Sequence, residues 1–150
     1  MVGRRLCQLA TTLYASTEYL KRRTTGTIED CAWLMPDDDL SHLPANNWLR
    51  QNFPTASVQF RSNTLLGLLE AAKQDLGIAP LPCFLADREP LLERVFPPPE
   101  SLSTSIWLLT HPDLRHIARV KVFMDFFTDA IKNETDLIEG RMPVQLYPTD

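Results

Sequence analysis

Glycine is scarce in this chain of 150 residues, which contains five glycines and twelve prolines. Phosphate-binding loops and flexible linkers are built from clustered glycines, and no clustered glycines occur here. A Gly-rich phosphate loop is therefore excluded, and the prolines favour short, stiff connections between elements. The length is enough for one domain, or for a substantial part of a larger one.

Long hydrophobic runs and paired cysteines are also missing. No apolar stretch approaches the roughly 20 residues that a membrane-spanning helix needs, and Arg4 and Arg5 are followed by no long apolar region of the secretory type. Cys7, Cys31 and Cys83 are odd in number, far apart and outside any Cys-x-x-Cys pattern, which predicts reduced, buried thiols. We therefore expect a cytoplasmic protein without a membrane partner.

Positive charge is too sparse for nucleic-acid binding over the whole chain. Fifteen Lys and Arg residues stand against nineteen Asp and Glu residues, which gives a net charge of −4. A nucleic-acid footprint needs a basic surface instead. The small basic excess near the N-terminus is interpreted as a solvated surface and comprises Arg4, Arg5, Lys21, Arg22 and Arg23.

The chain does contain a regular alternation of short strands and helices. Apolar and β-branched runs predict strands at 6–15, 31–35, 57–62, 78–81 and 103–111. Helical spacing and helix-start signals predict helices at four places: after Ser16, after Pro44, after Ser62 or Asn63, and over 115–132. The last stretch, 133–150, shows no clear periodicity and is predicted to be a poorly ordered tail. The fold class is therefore α/β.

The stretch 57–82 carries the clearest supersecondary pattern. Its first six residues alternate as in a half-buried strand, and the next helix has one apolar face that comprises Leu65, Leu68, Leu69, Ala72 and Leu76. Gly77 is expected to end that helix in the left-handed conformation. Pro80 predicts that the following strand lies at a sheet edge or ends there. A strand, a helix and a strand in this order predict a βαβ unit, and hence a mostly parallel sheet flanked by helices.

The order of these motifs resembles that of a known family. Three collinear stretches carry the resemblance: VGRRLCQLATTLYASTEYLKR, FRSNTLLGLLEAAKQDLGIAPLPCFLAD and SIWLLTHPDLRHIARVKVFMDFF. They are similar to the effector-binding region of LysR-type transcriptional regulators, and the helix ending in Gly-Ile-Ala-x-Leu-Pro is the most specific part. The similarity runs over residues 2–132.

The resemblance implies the fold of a type 2 periplasmic binding protein, in which two α/β lobes are joined by two crossover strands and hold a small effector between them. Residues 1–132 would form part of such a domain, with the second lobe near 15–105, crossover strands near 8–15 and 106–111, and the terminal helix near 115–132. The winged helix-turn-helix and most of the first lobe have no counterpart in the sequence. The chain is therefore expected to be a fragment or a truncated product, and to reach DNA only through a parent protein.

Two corners of the predicted lobe are candidate effector contacts, because ligands of open α/β sheets sit at the carboxyl ends of strands. The first corner comprises Ser62, Asn63 and Thr64. Free amides of a helix N-terminus and two hydroxyl groups could receive a carboxylate or another acceptor there. The alternative interpretation is plain helix capping.

The second corner comprises Asp37, Asp38 and Asp39, and its position matches a family loop that faces the effector cleft. Three acids facing a ligand would favour hydroxyl or amine groups over an anion. The alternative interpretation is an exposed, solvated turn. The two corners thus indicate ligands of different charge, and both possibilities stay open.

The residues give little support to an enzyme. His42, His111 and His116 fall in separate loops or at a helix start, without a metal-binding spacing. Cys83 follows a predicted strand, and no histidine is evidently placed to activate it. We predict no catalytic residues, metal or cofactor; a small α/β enzyme remains the less favoured alternative.

The terminal helix predicts a protein partner. Its aromatic face, with Phe123, Phe126 and Phe127, matches a helix that the first lobe covers in the family. Without that lobe, large apolar groups would be exposed, which soluble monomers seldom tolerate over a wide patch. We expect self-association through 115–132, or a truncated module that oligomerises with a full-length regulator.

Overall fold

A computed structural model describes residues 1–23 and 26–144 of the chain. Over these residues the strands are β1 (Val2–Leu9), β2 (Thr11–Ser16), β3 (Ala32–Pro36), β4 (Ser57–Ser62), β5 (Ala79–Pro82), β6 (Leu92–Arg94) and β7 (Thr104–Thr110). The helices are α1 (Thr17–Arg22), α2 (Ala45–Asn52), α3 (Leu65–Lys73), α4 (Cys83–Ala86), α5 (Ala118–Asn133) and α6 (Thr135–Ile138).

The lobe is built on strands in the order β4-β3-β5-β2-β6. β3 pairs with β4 in parallel, and a parallel bridge from Trp33 to Ile78 joins β3 to the start of β5. β2 pairs in antiparallel fashion with β5 on one side and with β6 on the other. Four of these five strands therefore share one direction and β2 opposes them. This confirms the α/β class, but the lobe sheet is mixed and not mostly parallel, because both pairings of β2 are antiparallel.

The core lies on both faces of this sheet because side chains alternate along each strand. On β2, Tyr14 packs into the cluster beneath α3, whereas Leu13 packs into the cluster beneath α1 and α2. On β3, Leu34 and Trp33 divide in the same way, and all four side chains are essentially inaccessible to solvent. The lobe is thus a three-layer arrangement with helices on both sides of the sheet.

A second unit is the crossover ribbon, which we define as β1 and β7. The two strands pair in antiparallel fashion, with Leu9 opposite Thr104 at the end nearest the lobe. α5 packs on β1, where Arg4 Nη1 donates a hydrogen bond to the buried Thr128 Oγ1 over 3.2 Å. The ribbon therefore carries the terminal helix and enters the lobe at one end.

The single strand predicted over 6–15 is two strands. β1 ends at Leu9 and β2 begins at Thr11, with Ala10 between them outside either ladder. The Ala10 carbonyl instead accepts from the amide of Cys83, and its own amide donates to the Ile138 carbonyl. The break arises because the chain leaves the ribbon and enters the lobe sheet at this residue.

The helix of the βαβ unit ends differently from the prediction. Asp75, with φ of 64°, is the residue in the left-handed region, and Gly77 is not. A Cβ atom on Gly77 would lie 2.1 Å from the carbonyl oxygen of Ala32, so glycine is required there by close backbone approach. Leu76 also lies beyond the helix and is 51% exposed, whereas Leu68 and Ala72 are fully buried as predicted.

Pro80 lies at a point where β5 is paired on one side only. β5 has β2 on one side, with Pro80 opposite Leu13, and meets β3 on the other side through Ile78. The pairing with β3 is confined to Ile78, before Pro80 in the chain, so the missing amide hydrogen interrupts no ladder on that side. Pro80 is therefore hydrogen-bonded to a neighbouring strand on one side only, and β5 ends two residues later, which agrees with the prediction of a sheet edge or a strand end.

The C-terminal region also departs from the prediction. α5 begins at Ala118 rather than at residue 115, because residues 112–116 form a turn. The predicted tail contains α6, in which Leu137 and Ile138 are buried. Residues 145–150 of the predicted tail lie outside the described residues. No helix in the described part of the chain is long and apolar enough to span a bilayer.

Candidate functional site

The two corners proposed from the sequence meet at one edge of the sheet. β3 and β4 are parallel, with a register shift between Trp33 and Leu34, and Pro36 lies opposite Ser62 at their carboxyl ends. The amide of Asp37 donates to the carbonyl of Ser62 over 3.0 Å, which fastens the two loops together. We call this region the carboxyl edge and define it as residues 36–39 and 62–65.

The hydroxyl groups of the carboxyl edge serve the start of α3. Thr64, and not Ser62 or Asn63, is the N-cap, and its Oγ1 accepts from the amide of Gly67 over 2.9 Å. Ser62 Oγ accepts from the amide of Thr64 and donates to the carbonyl of the same residue. Asn63 is exposed. The capping interpretation therefore accounts for the local bonds of Ser62 and Thr64.

The three acids form a short turn rather than a chelating cluster. The carboxylate of Asp37 accepts from the amide of Asp39 over 3.0 Å, and Asp38 and Asp39 are both exposed. Within residues 1–23 and 26–144, no group of three His, Cys, Asp or Glu side chains is arranged to hold a metal ion. The turn thus presents two solvated carboxylates beside the N-terminus of α3.

An apolar slot opens beside the carboxyl edge, where the ribbon meets the lobe. It has a volume of about 30 Å³, and its walls include Leu9, Pro36, Leu65, Pro82, Leu102 and Thr104. Small-molecule sites typically occupy about 300–1,000 Å³. The apolar slot therefore supplies one wall of a binding site and is too small to enclose a ligand by itself.

A larger polar groove of about 400 Å³ lies on the other side of the acidic turn, between α2 and β4. Arg61 Nη1 donates to the Pro36 carbonyl over 2.9 Å and to Asn46 Oδ1 over 3.2 Å. Asn46 Nδ2 also donates to the Pro36 carbonyl. Asp37 and Asp38 line the groove with Arg61, so basic and acidic groups share one surface. Arg61 and Asn46 were not proposed as site residues from the sequence. The alternation of apolar and polar residues along β4 did place Arg61 on the outward face of the strand.

The sequence profile of the LysR substrate-binding domain matches residues 1–132. The chain belongs to this family. A LysR substrate-binding domain is the effector-sensing, regulatory part of a LysR-type transcriptional regulator, which confirms the function indicated by the three sequence stretches. No sequence among curated proteins matches the chain.

Solved LysR regulatory domains share the fold of this LysR substrate-binding domain. The CrgA regulatory domain of Neisseria meningitidis is 22% identical, with a TM-score of 0.66 over 86% of this chain and 68% of the other. The AmpR effector domain of Pseudomonas aeruginosa is 18% identical, with a TM-score of 0.64 over 94% and 68%. A cysteine-to-serine variant of the AphB regulatory domain of Vibrio vulnificus is 18% identical, with a TM-score of 0.63 over 85% and 70%.

A buried charged network in this LysR substrate-binding domain was not predicted. The guanidinium of Arg94 forms a bidentate pair with the carboxylate of Asp87, and their side chains are only 6% and 3% exposed. Tyr14 Oη donates to Asp87 Oδ1 over 2.6 Å. Arg94 also donates to the Gly140 carbonyl over 3.2 Å. Burial raises the pKa of Tyr14, which keeps the phenol protonated as a donor.

The three thiols of the LysR substrate-binding domain are free and buried, as predicted. Burial raises the pKa of each of Cys7, Cys31 and Cys83 above its ordinary value. A raised pKa lowers the fraction of the reactive thiolate. These cysteines therefore lack the electrostatic activation that nucleophilic thiols require.

Proposed function

We propose that this chain is an effector-binding lobe and that its effector contacts residues 37–39, residues 62–64 and the apolar slot. The hydrogen bond from the Asp37 amide to the Ser62 carbonyl carries the proposal, because it joins both predicted corners into one surface. That surface lies at the carboxyl ends of β3 and β4, where α/β sheets bind ligands. The role is binding in the cytoplasm, without catalysis.

Regulation would follow from closure of a cleft around the effector. A ligand that binds the closed arrangement better than the open one shifts the population towards closure. In a parent regulator, that shift would be coupled to how subunits pack and hence to how distant DNA-binding segments engage their sites. DNA contact would therefore belong to the parent protein rather than to this lobe.

Affinity of the isolated chain for an effector should be low. The apolar slot encloses only about 30 Å³, and the acidic turn and the Ser62 corner are open to solvent on one side. A surface with one wall leaves much of a ligand in water, so little apolar area is buried to offset the entropy of association. Tight binding by this chain alone would contradict the one-wall arrangement.

The site can be tested by amide chemical shifts in ¹⁵N-labelled protein titrated with a panel of small carboxylates, amino acids and amines. We expect at least one class to shift the amides of residues 37–39 and 62–65, with dissociation constants of about 1 mM or weaker. Perturbation by carboxylates would identify the α3 terminus as the main contact, and perturbation by amines would identify the acidic turn. A panel whose shifts fall consistently elsewhere would overturn the assignment.

Two serines of one strand provide a matched control for this titration. Ser62 lies at the carboxyl end of β4 and Ser57 at its other end. Ser62→Ala should weaken the response of the amides at residues 62–65, whereas Ser57→Ala should leave it unchanged. Equal effects of the two changes would show that the titration does not report on the carboxyl edge.

A second candidate function is an interaction module that joins a full-length LysR-type regulator in mixed oligomers. The observation that favours it is the outer face of α5, where Val122, Phe123 and Phe126 are 69%, 60% and 72% exposed. Co-expression with an intact regulator of this family, followed by affinity purification of the tagged short chain, would test it. Recovery of both chains would support the module, and recovery of the short chain alone would argue against it.

A further inference from the structure

We propose that residues 135–141 form a strap that fixes the angle between the crossover ribbon and the lobe. The strap comprises α6 and the three residues that follow it, and it lies across Ala10, where the chain passes from β1 to β2. This inference concerns the resting chain and holds whether or not an effector binds at the carboxyl edge.

The strap is attached to the ribbon side by two hydrogen bonds. The amide of Gln8, on β1, donates to Glu139 Oε1 over 3.1 Å. The amide of Ala10 donates to the carbonyl of Ile138 over 3.0 Å. Leu137 and Ile138 are also buried, which anchors α6 by apolar contact as well as by polar groups.

The strap is attached to the lobe by Arg94 and by close packing. Arg94 on β6 donates to the Gly140 carbonyl, and the bidentate pair with Asp87 holds its guanidinium in place. Gly140 has a φ of +72°, and a Cβ atom there would lie 3.0 Å from Ala10 Cβ and 3.1 Å from Cys83 Sγ. The backbone of the strap therefore sits against both the junction and the lobe, with no room for a side chain.

The number of connections between the ribbon and the lobe determines how freely one can bend relative to the other. The ribbon and the lobe are joined covalently at two places, before β2 and before β7. Because these two connections lie next to each other, the softest motion of the ribbon relative to the lobe is a hinge bend about one axis. The strap adds a third, noncovalent attachment from Gln8 to Arg94, and bending at Ala10 must stretch or break it. An effector would work against the strap only if its binding changed the angle between the ribbon and the lobe.

Residual dipolar couplings of the full chain test this directly, because they report the orientation of backbone amides. Couplings from β1, β7 and α5 should fit the same alignment tensor as couplings from β2–β6 in the wild-type protein. Gly140→Ala places a methyl group against Ala10 and Cys83 at a positive φ, so the strap should no longer seat. The ribbon and the lobe should then require two different alignment tensors.

Gly26→Ala is the matched control, since Gly26 also has a positive φ, of +96°, but lies outside the strap. It should leave one shared tensor. A folded Gly140→Ala protein that keeps one shared tensor would overturn the proposal.

A milder pair of variants keeps the test available if Gly140→Ala does not fold. Glu139→Ala removes the acceptor for the Gln8 amide, whereas Glu139→Gln retains an oxygen in that place. We expect amide exchange at Gln8 to accelerate about tenfold in Glu139→Ala and to stay near the wild-type rate in Glu139→Gln. Unchanged exchange at Gln8 in Glu139→Ala would also count against the strap.

Discussion

At the scale of single residues, the most consequential group is the buried ion pair of Arg94 and Asp87. Both side chains are almost wholly removed from water, so each charge depends on the other and on Tyr14 for compensation. Together with Tyr14, the pair organises β2, α4 and β6 around one point, because Tyr14 lies on β2, Asp87 directly follows α4 and Arg94 ends β6. Removing one partner leaves a buried charge without compensation.

Arg94→Met should therefore lower the free energy of unfolding by about 3–5 kcal/mol, because it leaves the buried carboxyl group of Asp87 without its charged partner. Urea denaturation at neutral pH measures the loss. Arg88→Met is the matched control: its pair with Glu134 is 65% and 55% exposed and should contribute less than about 1 kcal/mol. Equal losses in the two variants would refute the special role of the buried pair.

Because of Tyr14, we expect the stability of the folded protein to decrease at alkaline pH. Burial first, and then Cys83 and Asp87, raise its pKa above the ordinary value near 10. Above about pH 10 the unfolded chain releases the phenol proton while the folded chain retains it, so stability falls as pH rises. The slope from this one group approaches about 1.4 kcal/mol per pH unit. In urea titrations between pH 9 and pH 11, Tyr14→Phe should show a shallower decline than the wild type; parallel declines would contradict the assignment.

At the scale of elements, the sequence predicts secondary structure best where a periodic pattern of apolar residues extends over a whole strand or helix. It predicts worst where a single tertiary contact determines the role of a residue. The alternation in Ser57–Ser62 predicted β4 with both ends correct. In contrast, Gly77 was expected to serve a turn, and it serves the close approach of the Ala32 carbonyl from another strand. The strap was missed for the same reason, since Gly140 and Arg94 are far apart in sequence and meet only after folding. The two corners were placed at strand ends by strand order and direction, whereas their meeting through the bond from the Asp37 amide to the Ser62 carbonyl was not anticipated.

The start of α3 provides a test at this scale, because the sequence favoured Ser62 or Asn63 as the cap and the structure assigns Thr64. Thr64→Ala should lower stability by about 1 kcal/mol, since the amide of Gly67 loses its side-chain acceptor. Asn63→Ala should change stability by less than about 0.5 kcal/mol because its side chain is exposed. Thermal unfolding of both variants measures the difference, and a larger loss for Asn63→Ala would return the cap to that residue.

At the scale of the whole molecule, the lobe and the crossover ribbon, which meet at Ala10, differ in how fully helices cover their sheets. The lobe has helices on both faces of its sheet and a core on each side. The ribbon is covered on one face by α5, while Trp107 and Leu109 on β7 remain 54% and 52% exposed. The outer side of α5 is apolar as well. Several large exposed apolar side chains therefore lie on the ribbon and its helix, and we expect self-association to use this surface.

Self-association through α5 is the consequence that can be measured on the chain alone. Phe123 and Phe127 stack with ring centroids 6.1 Å apart, and Phe126 beside them is 72% exposed, so a second copy can bury a contiguous aromatic surface. Sedimentation equilibrium at micromolar concentrations should show a reversible dimer of the wild type. Phe126→Lys should weaken it about tenfold or more by placing a charge at the contact. Leu66→Lys is the control, because Leu66 is similarly exposed, at 63%, but lies on α3 in the lobe. A wild-type chain that stays strictly monomeric would refute the prediction, and equal weakening by both variants would place the interface elsewhere.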